Sequence, residues 1–171
     1  MGLRVTRPSV GVSRLRGGCA GAAERAAVRL FVSQLDFAPF YKFLMTPDAA
    51  AHEELRGACV AALTKMEARF AAGSATGPYF LGEALSAADI AVLPFLQRFS
   101  AGLSHYRAWA FEAELATLAP RLAATFAAAR QRPAWQATTM TKGFYIVAYH
   151  GYATGKATVL RSAPRSLLAV N

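Results

Sequence analysis

The chain has 171 residues, 54% of them hydrophobic, with 19 basic and 10 acidic side chains, a formal net charge of +9 and a mean hydropathy of +0.25. That length suits a single domain with a buried core, the composition excludes a disordered chain, and no run of about 18 uncharged apolar residues offers a membrane span. The charge excludes less than its size suggests: Arg4, Arg7, Arg14, Arg16, Lys156, Arg161 and Arg165 lie in the two acid-free ends, and removing those seven from 19 leaves 12 basic against 10 acidic residues, a net of +2. A basic face for phosphates would need Lys and Arg gathered on one element. Here they are scattered along polar helix faces, so nucleic acid is not an expected partner.

In chain order, residues 1–20 form a basic, acid-free extension without a sustained apolar stretch. It does not read as a secretory signal; an organelle transit peptide and a misassigned start fit it equally. Cys19 and Cys59 give no C-x-x-C spacing and no disulfide framework, which suits a reducing cytoplasmic setting. From Gly21 to Met45 apolar residues recur at three- and four-residue steps (Val28, Phe31, Val32, Leu35, then Phe37, Tyr41, Leu44), which predicts a helix kinked or broken at Pro39. A second helix is expected from Thr46 as cap and Pro47 in the first turn to about Ala72, with Leu55, Cys59, Ala62, Met66 and Phe70 on its apolar face. Cys59 then reads as a small buried hydrophobe. The linker from Gly73 to Pro78 ends this helix by turn chemistry.

The third helix carries the strongest local signal. Ser86 and Asp89 stand at the two positions of a capping box, Leu85 and Ile90 at the two positions of a hydrophobic staple, and together these are worth about 1–3 kcal/mol. The run from Ile90 through Phe99 is apolar on nearly all sides, which predicts a helix at the centre of the domain, bent at Pro94. A short helix around His105 to Phe111 and another from about Thr117 to Gln131 follow, closed by Arg132 and Pro133. The segment from Phe144 to Tyr152 has a composition that favours strand and a position that favours packing over a bundle; the period does not decide, and it reads as irregular or helical. The residues after it read as a loose tail. His52, His105 and His150 are too dispersed for a metal site or a catalytic triad.

The ordered set Phe80-Leu81-Gly82, Ser86-x-x-Asp89-Ile90 and Pro94 resembles the capping box and core helix of the C-terminal domain of cytosolic glutathione transferases. The segment from Phe37 to Leu44 resembles the kinked first helix of omega-like members, and Arg132 to Thr138 resembles the end of the last bundle helix. The resemblance implies an all-α helical bundle over residues 21–139, with the aromatic and then basic tail 140–171 beyond it. It implies that the capping box is a folding determinant, with no catalytic residue in this chain. Glutathione would be a co-substrate only with a thioredoxin-like domain, of which no pattern is seen here, and no tightly bound cofactor is expected. By the same analogy Phe37, Phe40, Tyr41 and Phe99 are candidate walls of a hydrophobic substrate pocket. Arg25 and Arg29 are candidate contacts to a glutathione carboxylate or an acidic partner. The expected partners are a thioredoxin-like domain, a dimer mate and a small hydrophobic ligand. Two other functions compete: a docking module like the related helical domains of translation complexes, and a carrier that binds apolar molecules without chemistry.

Overall fold

The computed structural model describes residues 21–156, so the N-terminal extension, Cys19 and positions 157–171 lie outside the described residues. These fold into α1 (Ala22–Ser33), α2 (Ala38–Met45), α3 (His52–Ala71), α4 (Ala87–Tyr106), α5 (Phe111–Leu118), α6 (Pro120–Arg130), α7 (Pro133–Thr138) and α8 (Lys142–Thr154). Among the described residues there is no strand, only one isolated antiparallel bridge between Tyr79 and Gly82. The architecture is all-α. Helix α4 is the hub, packing against α1, α2, α5, α6 and α8, and its buried side includes Val92, Leu93, Leu96, Phe99 and Leu103.

Local chemistry explains where each helix begins. Pro39 does more than kink the first periodic segment: it sits in the first turn of a new helix, α2, where its missing N–H has no helical partner to lose. Asp36 Oδ1 accepts from the Ala38 N–H at 3.0 Å and stabilises that start. The expected cap at Thr46 and Pro47 does not form. Thr46 ends α2, with its Oγ1 donating to Lys42 O at 2.8 Å. Asp48 instead accepts from Ala50 N–H at 3.0 Å and caps a 3-10 turn, Ala49–Ala51, that leads into α3. On α3 the fully buried side is Leu55, Cys59, Leu63, Met66 and Phe70, so Leu63 takes the central place expected of Ala62, which is only partly buried.

Further along, α4 continues to Tyr106, and the expected short helix at His105 to Phe111 is replaced by a tight loop in which Ala108 has φ +50°. Pro120 and Pro133 each start a helix, so Arg132-Pro133 opens α7 rather than closing the bundle. The first N–H groups of α6 are satisfied from another helix: the Glu67 carboxylate on α3 accepts from Arg121 N at 2.7 Å and Leu122 N at 3.1 Å. A carboxylate there also meets the positive end of the helix dipole.

The segment from Phe144 to Tyr152 is helix, not strand. Thr141 caps α8 by accepting from the Phe144 N–H at 3.2 Å, and Gly155 at φ +70° ends it in the left-handed region. Tertiary bonds then hold it: Tyr106 Oη donates to Ile146 O at 2.7 Å and Arg107 Nη2 to Ala153 O at 2.8 Å. Arg107 also donates from Nε to Phe43 O at 3.0 Å and from Nη2 to Leu44 O. One guanidinium therefore joins the C-terminal ends of α2 and α8.

Candidate functional site

The residues that sequence singles out fall into three places. Ser86 and Asp89 form the start of α4. Asp89 is completely buried and accepts three bonds: Phe80 N–H at 2.8 Å on Oδ1, and Ser86 N–H at 2.7 Å and Ser86 Oγ at 2.6 Å on Oδ2. The carboxylate therefore ties the loop before the helix, nine residues upstream, as well as the helix itself. Arg121 holds the same loop from α6, donating to Gly77 O at 3.0 Å and Ser74 O at 2.7 Å.

The second group, Phe37, Phe40, Tyr41 and Phe99, is brought together, but as packing. Phe40 and Phe99 are each 1% exposed and stack on each other at 4.9 Å between ring centres. Phe37 stacks on Phe95 at 3.9 Å, and Tyr41 meets Phe99 edge-on at 5.2 Å. None of the four lines either of the two clefts described below. Tyr41 Oη lies 3.4 Å from Tyr149 Oη on α8, and burial together with that contact raises the Tyr149 phenol well above its usual range. Tyr106 is likewise raised by burial, and Arg107 lowered by it. Arg25 and Arg29 project from the exposed side of α1 and line neither cleft described below.

The structure opens instead along the third place, the outer face of α4. Ile90, Leu93, Pro94, Gln97 and Arg98 form one wall of a groove with a volume of about 360 Å³. Trp135 and Thr138 of α7 and Tyr145 of α8 form the opposite side, and Leu85 lies at the end where α4 starts. Ile90 is 45% exposed and Leu93 3%, so the apolar run read as buried on all sides leaves Ile90 open, with Pro94, Gln97 and Arg98 partly exposed on the same stripe. Leu85 and Ile90, the two staple positions, both belong to this groove. The signal that would have found it is Arg98, whose charge breaks the apolar run at the end of that stripe.

A second cleft, about 480 Å³, lies between α1, α2 and α3. Its lining is alanine-rich (Ala58, Ala61, Ala62) with Asp36, Lys65 and Arg69 around it, and Arg69 Nη1 is committed to Gln34 O at 2.9 Å. Ligand pockets are walled mainly by large apolar and aromatic side chains with a few polar groups. The α4 groove has that character and the α1–α3 cleft does not. Among the described residues no group of three or more His, Cys, Asp or Glu side chains could hold a metal ion, and no helix is long and apolar enough to cross a membrane.

Comparison with known proteins places this geometry. No curated protein matches the chain. Among solved structures it is similar to Leishmania TDR1, described as a unique trimeric glutathione transferase, with a TM-score of 0.67 and 29% identity. That match covers 78% of this chain and 29% of TDR1, so the chain spans under a third of that relative's length. The family model for the glutathione S-transferase C-terminal domain matches residues 27–138, from within α1 to the end of α7. With its helical bundle, buried Asp89 and α4 groove, the chain belongs to the glutathione S-transferase C-terminal domain family.

Proposed function

We propose that this chain supplies the hydrophobic co-substrate site of a glutathione transferase-like assembly, and that the site is the α4 groove. The observation that carries this reading is the juxtaposition of Ile90, Pro94 and Trp135 with Gln97 and Arg98 in one concave surface. Glutathione binding and thiol activation are assigned to a thioredoxin-like domain or partner. A thiol needs a placed donor or cation to lower its pKa, and the described Cys59 is buried and pushed up to about 12. Conjugation or thiol transfer therefore requires both parts.

Contacts between copies are proposed on α1, where Leu30 is 58% and Val32 38% exposed and where Arg25 and Arg29 would meet acids of a partner. The test of the groove is a fluorescence titration with N-phenyl-1-naphthylamine, an uncharged apolar probe. We expect saturable binding that Ile90→Glu, a change at an exposed position, weakens by about tenfold or more. The same chain mixed with glutathione and an aryl electrophile is expected to give no conjugation above the uncatalysed rate. Unsaturable binding, or binding indifferent to Ile90→Glu, overturns the assignment.

A further inference from the structure

From Gly143 to Thr154, helix α8 carries no Asp, Glu, Lys or Arg. It packs against α4 and α2, and the side that meets them holds Tyr149, whose ring stacks on Tyr41, and Ala153, which belongs to the core. At about 100° per residue, Phe144, Val147, Ala148 and Gly151 fall on the opposite side. Tyr152, 55% exposed, stands at its edge. A surface helix of a globular protein turns polar residues outward; this one turns out aromatic and aliphatic ones. Gly151 lies on that outward side and is nonetheless buried.

The chain leaves α8 at a defined place. Arg107 Nη2 donates to Ala153 O at 2.8 Å and also to Leu44 O, so the foot of α8 stands beside the end of α2. Gly155, at φ +70°, turns the chain there. At the same corner, between α2 and α3, stand Asp48 and, in the first turn of α3, Glu53 and Glu54. All three are exposed, and none is in an ion pair among the described residues. The sequence that follows has the complementary character: residues 157–171 hold Val159, Leu160, Leu167, Leu168 and Val170, together with Arg161 and Arg165, and no acid.

We propose that residues 157–171 dock in cis on the outward face of α8, with their apolar side chains over Val147, Gly151 and Tyr152 and with Arg161 beside Asp48, Glu53 and Glu54. The reach is ample: the 13 residues of α8 rise about 20 Å, whereas an extended chain spans about 3.3 Å per residue. Apolar burial supplies the attraction and the acidic corner sets the direction of return. The segment that composition alone reads as a loose tail is then a clasp on the last helix. This does not depend on the reading of the α4 groove.

Limited trypsin digestion of the full chain, followed by mass spectrometry, compares cleavage after Arg161 and Arg165 with cleavage of a free peptide of residues 157–171. Where undocking is fast, cleavage tracks the undocked fraction, and it should be about tenfold slower in the chain than in the peptide. Glu53→Gln with Glu54→Gln, and separately Tyr152→Ser, should each bring the rate to within about twofold of the peptide's. Glu83→Gln, an exposed acid before α4, should leave the protection in place.

Cleavage as fast as in the peptide overturns the proposal. So does protection untouched by both sets of variants, which would put the segment on another surface. Protection that grows with protein concentration from about 1 to 100 μM would assign the face to a second copy, and protection gained only with vesicles of anionic phospholipid would assign it to a lipid surface; either result refutes docking in cis. Should a variant lose its native near-ultraviolet circular dichroism, Leu160→Ser with Leu167→Ser, outside the bundle, decides. Unchanged protection in that pair counts against the inference.

Discussion

Removing the Asp89 carboxylate tests how far one buried side chain governs this fold. Asp89→Ala leaves the Phe80 and Ser86 N–H groups without their acceptor, in a region where Phe80 is 2% and Ser86 8% exposed. Each buried donor left without a partner costs about 1–3 kcal/mol. The Ser86 hydroxyl can turn elsewhere and adds little. The sum is about 4 kcal/mol, a large fraction of the 5–15 kcal/mol that usually separates folded from unfolded domains. In urea unfolding, followed by far-ultraviolet circular dichroism, the midpoint should fall with an unchanged slope, about 2 M lower for a slope near 2 kcal/mol/M. Asp89→Asn keeps one acceptor oxygen and should lose about half as much, while Ser86→Ala should lose about 1 kcal/mol. A loss below about 1 kcal/mol in Asp89→Ala, or one no larger than that of Ser86→Ala, would show that the loop from Gly73 to Leu85 does not depend on the carboxylate.

Arg130's two hydrogen bonds, aided by the Ser100 hydroxyl and opposed by partial burial, hold Glu112 at about pH 2 against an ordinary 4.5. Its folded pKa is depressed, so its contribution is complete above pH 4.5 and fades as the pH falls toward 2; Glu112→Gln should flatten stability over that window in acid-titrated thermal unfolding. Cys59 runs the other way. Its pKa rises from 9.0 to about 12 through burial, so its contribution is intact below pH 9 and is lost between 9 and 12, a slope that Cys59→Ala should remove. In a Cys19→Ser background the remaining thiol should react with a disulfide reagent only when the protein unfolds, and rapid labelling of the native form would contradict its burial. Two glycines should respond in opposite directions. At Gly77, with φ +71°, a Cβ would come within 2.4 Å of the Gly82 carbonyl carbon, so Gly77→Ala should cost about 2–4 kcal/mol. At Gly57, inside α3 with nothing within 4 Å, alanine should stabilise by about 0.5–1 kcal/mol in the same urea assay.

What the sequence discloses follows the range over which each interaction acts. The start of α4 is legible because Ser86 and Asp89 are three residues apart and their bonds are local. The division at Pro39 is legible because proline's restrictions are intrinsic to it. Helix α8 is not legible in this way. Phe144, Tyr145, Ile146, Val147 and Tyr149 favour strand on propensity, and the choice of helix is made by packing against α2 and α4 together with bonds from Tyr106 and Arg107, about 40 positions earlier in the chain. Thr141 and Gly155 do mark its two ends locally, as a cap and a stop. The groove is the harder case. Aromatic residues signal buried surface equally well whether a ligand or another ring covers them, and only three-dimensional packing separates Phe40 and Phe99, closed against each other, from Trp135 and Tyr145, which line the opening.

The junction at Arg107 bears on the order in which the molecule can assemble. Its donors reach Phe43 and Leu44 at the end of α2 and Ala153 near the end of α8, so the seat for α8 exists only after α2 has settled against the foot of α4. Helix α8 buries few side chains completely, Gly151 and Ala153 among them, and is held to α4 and α2 by packing and by the bonds from Tyr106 and Arg107. Because Tyr145 sits on α8 and also lines the groove, the width of the groove depends on how closely these bonds hold α8 to α2 and α4.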